Sequence, residues 1–171
     1  MQWAKVTDII LITAILVLGV LACLALYQWI SRKSFQKIDL TLRAFFIPCI
    51  LMLLVYIIFD HLFILNTRPD GSGEPSFPSS HTMIVATVFF CTMFALPYYV
   101  KQKSLRIILD IVMVILIPLT AAGRVFANKH WLSDVIAGLI FAAIFAAIYF
   151  AVIKYHKSDK NLAKTNQKEQ K

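Results

Sequence analysis

The sequence predicts an all-α protein, a polytopic membrane bundle of five transmembrane helices, on three observations. Sixty per cent of its 171 residues are apolar and the mean hydropathy is +0.75, well beyond the roughly 45–50% apolar share of a soluble domain. The charged residues, 15% of the chain, fall in short clusters instead of spreading along helix faces. Between those clusters lie five apolar stretches, 9–30, 44–65, 80–99, 105–123 and 132–153, each near the ~20 residues a helix needs to cross the hydrocarbon core. Lipid offers an open strand edge no hydrogen-bond partners, so all five are expected to be helical.

The first stretch follows Lys5 and runs past Cys23 to Ile30. Val20-Leu21-Ala22-Cys23 faintly resembles a lipoprotein cleavage box, but the apolar run outlasts a signal core and no polar mature start follows. The second contains Pro48, ordinary in a membrane helix, and the fourth contains Pro118, where a kink is expected. The third opens on Ser79-Ser80, and the fifth on the segment around Asp134. Cys23, Cys49 and Cys91 lie inside apolar stretches without metal-ligand spacing and read as packing residues. Residues 1–155 form a single membrane domain, and 156–171 a Lys-rich tail, expected to be disordered.

Orientation follows from the basic residues. Thirteen of the 17 Lys and Arg fall in the segment 31–43, the turn before the fourth stretch and the tail, while Lys5, Arg68, Arg124 and Lys129 fall on the other side. The positive-inside rule puts the tail in the cytoplasm and the N-terminus outside, so that the loops 66–79 and 124–131 face outward. The net charge of +8 is accounted for by this topology signal, and no nucleic-acid partner is expected.

The outward ends of the helices gather polar groups at one depth. Counting ~1.5 Å per residue from Arg43 puts His61 about 27 Å up its helix, near the level of Arg68, of Ser79-Ser80-His81, and of Arg124, His130 and Asp134. Singly, each has an ordinary reading: a snorkelling anchor, a helix cap, or an i,i+4 pair. Together they read as a phosphate site. Arginines present forked donors to phosphoryl oxygens, and the opening amides of the third helix, with Ser79 and Ser80, form an anion-binding terminus. Phosphoryl transfer depends on positioning and charge neutralisation. No carboxylate cluster marks a metal site, so neither a metal nor another cofactor is expected.

The pattern His61-x6-Arg68-Pro69, Pro78-Ser79-Ser80-His81, Gly123-Arg124-x5-His130-x3-Asp134 resembles the signature of the type 2 phosphatidic acid phosphatases, the membrane branch of a superfamily that includes vanadium haloperoxidases. That signature reads Lys-x6-Arg-Pro, Pro-Ser-Gly-His, Ser-Arg-x5-His-x3-Asp, and the resemblance runs from about Asp60 to Gly138. It implies a catalytic set of His130 as nucleophile, Asp134 holding its other ring nitrogen, and His81 as the acid for the leaving oxygen. It implies Arg68, Ser79, Ser80, Arg124 and His61 as the substrate-binding cradle. Three positions depart: Ser80 stands for Gly, Gly123 for a Ser that supports the neighbouring Arg, and His61 for Lys. A histidine there binds phosphate best when protonated, so activity favouring mildly acidic pH is expected. The family's membrane members usually have six spans, and here the first motif ends the second span instead of the third.

The expected function is hydrolysis of a lipid phosphate or pyrophosphate on the extracytoplasmic face of a plasma membrane, through a phosphohistidine. Undecaprenyl pyrophosphate is the favoured substrate, ahead of phosphatidylglycerophosphate, phosphatidic acid and lipid A phosphates. A transporter would carry ionisable groups near helix midpoints, where this sequence has almost none. A non-catalytic lipid binder fits His61 but not the retention of His81, His130 and Asp134. Haloperoxidase chemistry belongs to soluble, larger relatives.

Overall fold

The computed structural model describes the backbone of residues 2–169 and the side chains of residues 2–156. Helix α1 (Gln2–Arg32) leads through a 3-10 turn (Phe35–Lys37) into α2 (Leu40–Ala44) and α3 (Phe46–Ile57), which ends in a π-helical turn (Ile58–Leu62). Three long helices follow: α4 (Ser80–Tyr99), α5 (Lys103–Phe126) and α6 (Leu132–Glu169). Among the described residues, five segments are long and apolar enough to cross a membrane: Gln2–Arg32, Leu40–Leu62, Ser80–Tyr99, Lys103–Phe126 and Leu132–His156. They overlap the predicted stretches, but the first helix begins at Gln2, before the apolar run, and so carries Asp8 within it, and the second runs from Leu40 to Leu62, short of the predicted end at residue 65. Helix α6 is continuous to Glu169. The disorder expected for the tail 156–171 concerns residues whose side chains, beyond His156, lie outside the described ones.

α4 is the central helix. Its buried positions are mostly small or Thr, namely Thr82, Ala86, Thr87, Cys91, Thr92 and Ala95. Between membrane helices the surrounding lipid supplies no hydrophobic drive, and close approach of small side chains replaces it. Val85, Val88 and Phe89 of α4 pack against Ile10 and Ala14 of α1, Met113 and Ile117 of α5, and Ala142 of α6. The Thr92 hydroxyl donates to the Val88 carbonyl at 2.7 Å, so its burial leaves no donor unsatisfied. The outer faces carry exposed Ile12, Leu16, Ile111, Ile115, Ile140 and Ile144. An apolar exterior over a centre whose Thr hydroxyl is bonded within its own helix is the pattern a bilayer solvates.

One end of the bundle is tied by side-chain hydrogen bonds. The Tyr149 hydroxyl of α6 donates to the Thr41 carbonyl at 3.0 Å, and Thr41 Oγ1 lies 2.7 Å from the Tyr99 hydroxyl. Gln28 of α1 holds Asp39 from both sides, donating to its carboxylate at 2.7 Å and accepting its amide at 2.8 Å. At the other end the segment before α4 forms a small hairpin. Thr67 bridges Pro75, the Arg68 amide donates to the Glu74 carbonyl at 3.0 Å, and the Ser76 amide donates to the Asn66 carbonyl at 2.9 Å. Gly71 (φ 78°) and Gly73 (φ 74°) supply the left-handed conformations at its tip. This hairpin delivers Asn66 and Ser76 to the starts of α4 and α6.

Candidate active site

His130 lies between α5 and α6 and is only 3% exposed. Its Nδ1 is 2.8 Å from the Ser76 carbonyl oxygen. A carbonyl only accepts, so Nδ1 carries the proton and Nε2 keeps its lone pair. That Nε2 sits 3.4 Å from Nη2 of Arg124. Burial, and next the Arg124 guanidinium, push the His130 pKa down to about 4 against the opposing pull of Ser76 and Asp134. At neutral pH the ring is uncharged, with an unprotonated nitrogen beside a guanidinium.

Asp134 does not bond that ring in the way the family resemblance implies. Its Oδ2 is 3.9 Å from His130 Nδ1, beyond hydrogen-bond reach. The reason is local: α6 begins at Leu132, so His130 precedes the helix and the i,i+4 face geometry does not apply to it. The fully buried Asp134 carboxylate instead accepts the Trp131 amide at 3.0 Å, the Asn66 side-chain amide at 3.1 Å and the Ser133 hydroxyl at 3.3 Å. It satisfies an opening amide at the start of α6 and pins the hairpin to it.

The start of α4 is built against the same residue. The Ser79 amide donates to the Asp134 carbonyl at 3.0 Å, and the Ser79 hydroxyl lies 3.0 Å from that of Thr82. Ser79 is thus buried and occupied, not a free anion donor as predicted. The first intrahelical bond is Met83 to Ser79 at 2.9 Å. The amides of half-buried Ser80, of His81 and of Thr82 therefore open the helix without intrahelical acceptors. Gly138 makes this junction possible: a Cβ there would lie 3.0 Å from the Ser79 carbonyl oxygen and 3.3 Å from the Met83 nitrogen.

Arg124, 4% exposed, is the hub. Besides His130 it reaches Thr7 Oγ1 and Asp8 Oδ1, both 3.5 Å from Nη1. The same Asp8 oxygen lies 3.1 Å from Nε2 of His81. α1 comes this close because residue 123 has no side chain: a Cβ on Gly123 would lie 2.6 Å from the Thr7 methyl. The hydroxyl that the family pattern carries at 123 has a counterpart in Thr7 Oγ1. Asp8, Thr7, Asn66 and Ser76 were not legible as site residues. The available signal was Asp8, a lone carboxylate ahead of the first apolar run, on the side where the other clusters gather.

Arg68 forms an ion pair with Glu74 across the hairpin, and its charge is felt at His130. The Nε atoms of Arg68 and Arg124 are both buried without a partner among the described residues. The hairpin is latched to the α5–α6 loop by Lys129 and Asp70 at 2.6 Å and by the Trp131 indole donating to the Thr67 carbonyl at 2.9 Å. The Lys129 ammonium holds the Asp70 carboxyl well below the usual carboxylate range. His61 is not drawn into this network. The π-helical turn leaves its imidazole 63% exposed, with Asp60 at 3.8 Å and Tyr56 edge-on at 6.0 Å.

Known proteins share part of this sequence and this architecture. A stretch of 72 residues is 38% identical to the lipid A 1-phosphatase of Porphyromonas gingivalis, covering 42% of this chain and only 15% of the relative's length. The fold matches the crystal structure of the first transmembrane PAP2 type phosphatidylglycerolphosphate phosphatase from Bacillus subtilis with a TM-score of 0.60. That match has 19% sequence identity and covers 92% of this chain and 79% of the other, so it is a likeness of architecture. The PAP2 superfamily pattern matches residues 58–158, a stretch that holds the hairpin, α4, α5 and most of α6. With more than half of the sequence matched, His81, Arg124, His130 and Asp134 within it, this multi-pass membrane chain belongs to the PAP2 superfamily.

Proposed function

We propose that the chain is a lipid phosphatase that removes a terminal phosphate from a phosphorylated membrane lipid through a phosphohistidine on His130. The observation that carries this reading is the hydrogen bond from His130 Nδ1 to the Ser76 carbonyl, which leaves Nε2 unprotonated and facing Arg124. Nε2 bonds to phosphorus as the P–O bond to the lipid breaks, and the electron pair leaves on the lipid oxygen, which takes a proton from His81. Water then cleaves the P–N bond, releases phosphate and returns the proton to His81. Arg124, Arg68 and the opening amides of α4 neutralise the phosphoryl oxygens. Asp134 acts on His130 through the junction it holds together, and His61 stands outside the cradle.

The distribution of the basic residues supports an extracytoplasmic position, at a plasma membrane, for this end of the bundle. Undecaprenyl pyrophosphate heads the substrates, followed by phosphatidylglycerophosphate, phosphatidic acid and the 1-phosphate of lipid A, the last taken from the name of the sequence relative. The test is phosphate release by the detergent-purified chain from each lipid, in the presence of EDTA and beside His130→Ala. Release that the variant abolishes is expected, and the ranking of rates assigns the lipid. A folded protein that releases phosphate from none of them would remove the proposal.

A further inference from the structure

The polar groups that α1 brings into the cluster lie outside the matched family region, which begins at residue 58. Asp8 sits 73 residues before His81 in the chain, yet its Oδ1 is 3.1 Å from His81 Nε2 and 3.5 Å from Arg124 Nη1. One carboxylate oxygen thus touches two of the residues that the proposed reaction uses. The approach is built, not incidental: Thr7, fully buried, fills the space left by Gly123 and fixes the rotation of α1 that brings the half-exposed Asp8 against His81 and Arg124. Thr7 is itself anchored, its hydroxyl donating to the Ala4 carbonyl at 2.8 Å.

The geometry points to Asp8 as a positioning residue for the leaving-group acid, an inference that rests on the phosphatase reading above. Accepting a hydrogen bond from Nε2 of His81, the carboxylate fixes the ring and stabilises its cationic form, so that Nδ1–H is presented to the leaving oxygen. When the P–O bond breaks, that proton moves to the lipid oxygen and His81 is left neutral, still bonded to Asp8. Water attack on the phosphohistidine restores the proton. The second contact of Asp8 steadies Arg124, whose Nη2 faces the nucleophile.

This role has a chemical signature that a structural one lacks. An alkoxide leaving group needs the proton, whereas nitrophenolate leaves well without it. The experiment compares kcat of the full chain and of Asp8→Asn on dioleoyl phosphatidic acid and on p-nitrophenyl phosphate in the same detergent. Asp8→Asn is expected to lose roughly 10–100-fold on phosphatidic acid, a share of the 10²–10⁴ typical of acid catalysis, and less than about 3-fold on p-nitrophenyl phosphate. Asp8→Glu is expected to recover part of the lipid rate. The ratio of the two kcat values does not depend on how much of the variant is folded. An unchanged ratio, with wild type active on both substrates, overturns the role of Asp8 alone. Wild type that releases phosphate from neither substrate overturns this inference, and wild type that releases it from none of the lipids named above overturns the phosphatase reading as well.

Discussion

His130 is held through Nδ1 by the backbone carbonyl of Ser76 at 2.8 Å. A neutral, buried imidazole fixed in this way makes stability depend on pH. Its pKa falls from an ordinary 6.5 to about 4 in the folded state, chiefly through burial. Between those values the unfolded chain binds a proton that the folded chain does not. Stability from this group is therefore fully present above about pH 6.5 and is lost as pH falls toward 4. The loss is on the order of 3 kcal/mol at most. Thermal unfolding in detergent between pH 7 and 4 should show the decline, and His130→Asn should flatten it; an equal slope in the variant would assign the effect to other groups.

Asp134 is expected to behave as a structural residue as much as a catalytic one. Its carboxylate serves the Trp131 amide, the Asn66 side chain and the Ser133 hydroxyl. Asp134→Ala removes the acceptor of three part-buried donors, and each one that water does not reach costs about 1–3 kcal/mol. A loss of about 2–4 kcal/mol is expected, with activity lost alongside, as read by unfolding midpoint and phosphate release on the same sample. A variant with wild-type stability and no activity would instead restore the ring-holding role that the spacing implies.

These two residues show what the sequence made legible and where it stopped. The helices were visible because lipid demands long apolar runs, and the third begins and ends where hydropathy predicts, at Ser80 and Tyr99. The motif residues His81, Arg124, His130 and Asp134 were visible because their chemistry sits in their side chains. Ser76 was not, since it acts through its carbonyl and any residue has one. The Asp134 contact was misassigned because the spacing alone does not reveal that α6 starts after His130. Asp8 was missed because the partner that gives it meaning is brought by packing of α1 on α5, for which a single sequence carries only the faint mark of Gly123.

That mark can be tested. Gly123→Ala would put a Cβ 2.6 Å from the Thr7 methyl and 3.5 Å from the Trp3 ring. Thr is β-branched and stiff at χ1, so the methyl has little freedom to yield and α1 must move. Overpacking of this kind costs about 1–3 kcal/mol, and the shift carries Asp8 away from His81 and Arg124. Thr7→Ser removes the clashing methyl and keeps the hydroxyl, so the double variant Gly123→Ala/Thr7→Ser should regain most of the lost stability and activity. If the double variant is no better than Gly123→Ala, the close approach of α1 is not what residue 123 permits.

The junction of α6 with the start of α4 makes a sharper case, because there the obstruction is backbone. A Cβ at Gly138 would lie 3.0 Å from the Ser79 carbonyl oxygen, 3.3 Å from the Met83 nitrogen and 3.4 Å from Thr82 Cβ. None of these atoms moves without moving α4. A Cβ at Gly19, by contrast, would meet nothing within 4 Å, in the exposed middle of α1. Both substitutions to Ala gain about 0.5–1 kcal/mol of helix propensity. Gly19→Ala keeps that gain, while Gly138→Ala must set it against an overpacking cost of about 1–3 kcal/mol and the strain on the bond from the Ser79 amide to the Asp134 carbonyl. Gly19→Ala should therefore raise the unfolding midpoint with activity unchanged, and Gly138→Ala should lower both. Equal midpoints for the two variants would mean that α6 and α4 can part at this point without loss, and that the opening amides of α4 are not held in place by Asp134.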